Sequence, residues 1–117
     1  MSDIYIEMKL YFPYKSDRPE KKFYIITKDN KKVYFGDTRY EHFTITPHYK
    51  GHLDWTRQKA YEARHSKVGN WNDPDTRAYW SYRYLWLYPT HIEAYDKIKK
   101  DLMKRNYLQY DLLRRRP

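Results

Sequence analysis

The feature that most constrains this chain is its load of rings. Fifteen tyrosines, four tryptophans and four phenylalanines stand among 117 residues, so aromatic side chains make up 20% of the chain, while all hydrophobic residues together reach only 40%. A core drawn from such a chain must be built largely from rings, each tyrosine burying its apolar body while its hydroxyl stays at water or at a hydrogen-bond partner. This argues against disorder, whose signature is a shortage of aromatic residues. The length suits one core, and a single domain over residues 1–117 is expected.

The chain has no cysteine, which excludes disulfides, thiolate catalysis and cysteine-ligated zinc. No stretch approaches the ~18 consecutive apolar residues of a membrane span, and Asp3, Glu7 and Lys9 fall where a signal peptide requires an apolar run. These features predict a protein that stays inside the cell, with no membrane partner.

Hydrophobic patterning predicts an α+β fold, with an antiparallel sheet of three or four strands in the N-terminal half packed with two or three helices from the C-terminal half. Ile4, Ile6, Met8, Leu10 and Phe12 alternate with Tyr5, Glu7, Lys9 and Tyr11, a half-buried strand that Pro13 ends. Tyr14 to Lys21, with Ser16, Asp17 and Pro19 among charges, reads as a mobile loop. Phe23 to Thr27 and Lys32 to Phe35 read as a hairpin around Lys28-Asp29-Asn30-Lys31, where Asp and Asn tolerate positive φ. Glu41 to Thr46 alternates once more, Phe43 and Ile45 against His42 and Thr44, and predicts a further strand. The strand region thus spans about residues 4–46.

The helical region is expected over about 53–106. Asp54 is placed to cap a helix from Trp55 to His65, with Trp55, Gln58, Tyr61 and His65 near one face and Gly69 closing it. Asn70 to Asp75 is Asx-rich loop chemistry, its Trp71 tucked underneath. A second helix is expected from Arg77 toward Leu87. Thr90 and Glu93 form a capping box for a third, on which Ile92, Tyr95, Ile98 and Leu102 trace an apolar stripe. Residues 107–117, with Arg114, Arg115 and Arg116, read as a basic terminal arm.

The formal charge is +9, of which residues 1–52 carry +3 and residues 53–117 carry +6. Such an excess attracts polyanions, nucleic acid first among them. Lys97, Lys99, Lys100 and Lys104 share an arc of the third helix. Together with Arg57, Arg64, Arg105 and Arg114 to Arg116 they are the predicted phosphate contacts. The opposing reading is that lysines on a surface helix merely solvate it. Arg57, Lys59, Arg64, His65, Arg77 and Arg83 also interleave with rings. Most of those rings read as core, and Tyr82 and Tyr84 are the candidates for exposed stacking or interface positions.

Catalysis has little to stand on. His48 and His52 are four apart, but Pro47 and Gly51 argue against a helix, so two exposed loop histidines are expected and no metal site. Arg64, His65, Asn70, Asn72 and Asp73 make a poor nuclease site without a second carboxylate. Three isolated glycines, Gly36, Gly51 and Gly69, form no phosphate-cradling loop, and no cofactor is expected.

Val33-Tyr34-Phe35-Gly36, Tyr61-Glu62-Ala63-Arg64-His65, Asn70-Trp71-Asn72-Asp73-Pro74, Leu85-Trp86 and Pro89-Thr90 together resemble an uncharacterised family of small basic proteins from large DNA viruses and some phages. The resemblance spans roughly residues 32–104, and Arg77 to Arg83 departs from the family's pattern. It implies a viral setting and a compact fold and carries no catalytic residue. The sequence therefore predicts a non-enzymatic nucleic-acid-binding protein of DNA or RNA. The alternative is an interaction module with a viral or host protein partner, either a minor virion component or an inhibitor of a host defence complex. A metal-dependent nuclease comes third.

Overall fold

A computed structural model describes residues 8–67 and 69–108. Three antiparallel strands, β1 (Tyr14–Lys15), β2 (Lys21–Ile26) and β3 (Lys32–Asp37), form one sheet in sequence order, followed by α1 (Trp55–His65), α2 (Arg77–Leu85) and α3 (His91–Lys104). The architecture is α+β, with the sheet in the N-terminal half and the helices in the C-terminal half.

The β2–β3 hairpin forms because two apolar runs flank a turn whose Asn30 adopts a φ of 65°. Its register pairs Phe23 with Phe35 and Tyr24 with Tyr34, so one face presents phenylalanines and the other a tyrosine ladder that continues from Tyr24 to Tyr14 on β1. On the phenylalanine side α2 closes the core. Tyr84 meets Phe23 edge-on at 5.4 Å between ring centroids, and Phe35 meets Trp80 at 5.9 Å. Trp80, Tyr79, Tyr11, Phe23, Phe35 and Phe43 are the largest fully buried side chains, so the core is made of rings. Ala94, Ile98 and Leu102 of α3 complete it from behind α2.

The helices begin where short polar side chains cap them. Asp54 accepts from the amides of Thr56 and Arg57, Thr76 from Tyr79, and Thr90 from Glu93. α1 docks on the end of α2 through Gln58, whose Nε2 donates to the Trp86 carbonyl at 2.8 Å, and through Tyr61, stacked on Trp86 at 4.3 Å.

Four expectations from periodicity give way to tertiary contacts. In the expected strand Ile4 to Phe12, Ile4 to Glu7 lie outside the described residues, and Met8 to Phe12 are turn and coil. Tyr11 has a φ of 53° and is fully buried beside Leu10, which breaks the alternation. Its hydroxyl donates to Asp75 Oδ1 at 2.5 Å and accepts from the Lys28 amide, and Lys28 Nζ meets Asp75 Oδ2 at 3.0 Å. The expected loop at Tyr14 to Lys21 begins with β1, and its Asp17 accepts from the Tyr34 hydroxyl and Lys32, so the segment is tied to β3.

Glu41 to Thr46 joins no strand of the sheet. Phe43 and Thr44 donate to the Leu85 carbonyl and Ile45 to that of Pro89, which pins the segment to the α2–α3 connection. His42, Phe43 and Thr44 are consequently all buried and Ile45 is exposed, which breaks the expected alternation. On α3 the buried stripe is Ala94, Ile98 and Leu102, and Ile92 is 72% exposed.

Candidate nucleic-acid interface

A cleft of about 900 Å³ opens between β2–β3, the segment after β3, α1 and the start of α2. Each wall supplies a cation: Lys21 and Lys22 from β2, Arg57 and Arg64 from α1, and Arg77 from the first position of α2. Two carboxylates, Asp37 and Glu41, share the lining, and both are already engaged. Asp37 is gripped by the Arg39 guanidinium at 2.8 Å, and those hydrogen bonds hold its carboxyl down at about 2. Glu41 takes Arg57 Nη1 at 2.9 Å and is likewise held below the usual carboxylate range. Lys21, Arg64 and Arg77 have no ion pair or side-chain hydrogen bond with any described residue.

Lys22 is different. Only 4% exposed, its ammonium donates to the Tyr40 carbonyl at 2.6 Å and to His42 Nδ1 at 2.7 Å, with the Tyr49 ring 5.3 Å away. Burial pulls its pKa down to about 8, against the weaker pull of Asp37 and Glu41. Because His42 Nδ1 accepts, its proton sits on Nε2, which is buried without a hydrogen-bond partner. Burial first, and then the neighbouring ammonium, push His42 down to about 3. Gly36 makes this packing possible. It sits in the left-handed region at φ 81°, and a Cβ there would stand 3.0 Å from Leu85 Cδ1 and 3.1 Å from Lys22 Cβ.

Arg77 is placed by the loop before it. Asp73 Oδ1 accepts from the Asp75 amide, Thr76 donates to the Asp73 carbonyl, and Trp80 Nε1 anchors on the Pro74 carbonyl. The first turn of α2 carries no acidic residue, so its dipole adds to the positive field of the cleft.

The structure brings only two of the predicted phosphate contacts, Arg57 and Arg64, to this cleft, and Arg57 is paired. Lys97, Lys99, Lys100 and Lys104 are exposed on α3 and line no part of it. Lys100 pairs with Asp96 at 3.3 Å, and Lys99 lies 5.8 Å over the Tyr95 ring. Arg105 is tied to Asp101 and to the Asn72 carbonyl, where it fastens α3 to the loop before α2. Arg114, Arg115 and Arg116 lie outside the described residues.

The stacking candidates are corrected. Tyr84 is 2% exposed, buried edge-on against Phe23 and Phe35. Tyr82 is covered by Trp71 at 3.8 Å, and its hydroxyl donates to Glu62. The rings lining the cleft likewise spend their faces on one another: Tyr61 stacks on both His65 and Trp86. The ring left open at the rim is Tyr40, 65% exposed, which the sequence reading passed over.

Of the two histidines expected to be exposed, His48 is exposed, but His52 accepts from the Asp54 amide and has a buried Nε2. Among the described residues no three His, Asp or Glu gather as a metal site, and no helix is long and apolar enough to cross a membrane.

Lys21 and Lys22 were missed as site residues because they fall at the end of a predicted loop and just before a predicted strand, and His42 because it falls within a predicted strand. The one signal was a lysine pair opening an otherwise apolar run. Arg77 was noted beside the rings but not among the phosphate contacts.

Residues 14–65 match the model of a family of unknown function (DUF5754). The match runs from β1 through α1, so it holds the sheet and α1 walls of the cleft together with Gly36 and Arg64, while Arg77 lies beyond it. Two of the segments that carry the resemblance, Val33 to Gly36 and Tyr61 to His65, fall inside the match, and the other three fall outside. No curated protein and no solved structure matches the chain.

Proposed function

We propose that this protein binds nucleic acid by holding phosphate groups in the cleft between β2–β3, α1 and α2, and that it performs no catalysis on the strand. The observation that carries this reading is the set of uncommitted cations facing one concavity, Lys21, Arg64 and Arg77, in a lining whose two carboxylates are already neutralised. Cations across a low-dielectric concavity focus the field on one path, which suits a flexible single strand. The exposed lysines of α3 and the charge of Arg114 to Arg116 supply further sequence-independent contacts. With the faces of the cleft rings other than Tyr40 spent internally, recognition runs through phosphate more than through stacked bases. The setting is a virus or phage, with the protein in the host cytoplasm or nucleus or packaged in the virion.

Fluorescence anisotropy of labelled single- and double-stranded DNA and RNA at two salt concentrations tests this. The expected result is binding at low salt, tighter for single strands, that falls steeply as salt rises. No binding at low salt would end the proposal.

A second reading, docking to a protein partner, rests on Trp55, 56% exposed beside Leu53 at 39%. Loss of a stoichiometric, nuclease-resistant partner on Trp55→Ala, with strand binding intact, would favour it.

A further inference from the structure

Lys22 presents a physical problem: its buried ammonium, over the Tyr49 ring at 5.3 Å, has no ion pair with any described residue. A buried ammonium is ordinarily held by a carboxylate, since taking a charge out of water costs several kcal/mol that only a counter-ion and good hydrogen bonds offset. Both acceptors of Lys22 are neutral: a carbonyl and an imidazole nitrogen. The two nearby carboxylates are turned to Arg39 and Arg57. The residue nevertheless lines the cleft, as do its ammonium's partners Tyr40 and His42, in the same lining as Arg64 and Arg77, which also lack anionic partners.

We infer that Lys22, with Arg64 and Arg77 of the same cleft lining, forms a pocket for a single terminal phosphate group, the phosphate monoester of a strand end or of a nucleotide. This rests on the anion-binding reading of the cleft and sharpens it. A monoester fits better than an internal diester for a geometric reason. Lys22 lies below the surface, so a phosphate reaching it must end there, whereas a diester must carry its chain onward from both sides. A monoester also brings close to two negative charges near neutral pH, against one for a diester, and so offsets more of the uncompensated charge. The ammonium gives its third N–H to the phosphate while the Tyr40 carbonyl and His42 fix the other two, so the donor is oriented before the ligand arrives. The guanidinium groups of Arg64 and Arg77 supply the planar forks that suit phosphate oxygens. Gly36 keeps the stem of Lys22 in place, since a larger residue would push it or Leu85 aside.

The test has two parts. In the first, thermal unfolding of the whole protein is followed while sodium phosphate replaces chloride at constant ionic strength and pH 7. The wild type should gain several degrees, Lys22→Met should gain none, and the exposed wall variants Arg64→Gln and Arg77→Gln should gain less. Lys97→Gln, remote from the pocket, should respond like wild type. No gain beyond chloride in the wild type, or an unaltered gain in both Lys22→Met and Arg77→Gln, overturns the pocket.

In the second part, decathymidylates with a 5′-phosphate and with a 5′-hydroxyl are compared, with adenosine monophosphate as competitor. At least a fivefold preference for the phosphorylated strand identifies the strand end as the ligand. Displacement of the strand by micromolar monophosphate identifies the nucleotide. Equal binding of both strands with no response to monophosphate or phosphate overturns the pocket and leaves strand binding standing. Phosphate bound through Lys22 with neither strand bound upholds the pocket and removes the strand-binding reading.

Discussion

The cleft and the outer face of α3 carry similar numbers of cations and use them differently. On α3 the lysines stand on a convex surface, in water, and the helix spacing that aligns them also aligns carboxylates: Asp96 takes Lys100 at 3.3 Å, and Asp101 takes Arg105 at 3.2 Å. Lys97 and Lys104 are left without an ion pair among the described residues, each spreading its field into solvent. In the cleft the cations come from three elements distant in sequence and face a common space. Their carboxylate neighbours are spent on Arg39 and Arg57, and one ammonium is withdrawn from water. A net charge of +9 says nothing of this difference. Position in a concavity, and what each counter-charge is already doing, decides which cations are available to a ligand.

The comparison is open to direct attack. Reversing two cleft charges together, Arg64→Glu with Arg77→Glu, should lower oligonucleotide affinity at low salt by about 100-fold, while Lys97→Glu with Lys104→Glu should lower it by about tenfold or less. Anisotropy titrations on both doubles check this, and equal losses would erase the distinction between the two regions.

The second expectation concerns stability. Unfolded histidine takes its proton near pH 6.5, but His42 in the folded protein does so only at about 3, so the unfolded chain binds the extra proton as pH falls through that window. Stability should therefore drop on acidification below pH 6.5, by roughly 1 kcal/mol per pH unit from this group. Urea unfolding at pH 6.5 and 4.5 measures the slope. His42→Gln should flatten it, and Lys97→Gln on α3 should leave it unchanged.

Finer still, Arg64→Gln should reduce the slope of log K against log salt by about one, with Lys100→Gln reducing it less because Asp96 already neutralises that lysine. Smallest of all, Lys100→Ala should alter unfolding free energy by less than about 0.5 kcal/mol, since an exposed i,i+4 pair contributes little.

What the sequence determined about this protein is local. Turn chemistry at Lys28 to Lys31, the capping side chains Asp54 and Thr90, and a ring count that forces an aromatic core are set by neighbours a few residues apart, whose preferences survive into the fold. The α+β class follows from them. The tertiary structure decided which surfaces those elements meet. Periodicity assigns a residue to a face but cannot say what covers the face, so Ile92 stayed in solvent while Thr44 went inside on the Leu85 and Tyr88 carbonyls and His42 against Lys22. The cleft is of this second kind. Lys22, Arg64 and Arg77 come to line one cleft because α2 packs on the sheet and α1 docks on the end of α2, and burial, which makes Lys22 unusual, has no counterpart in a linear chain.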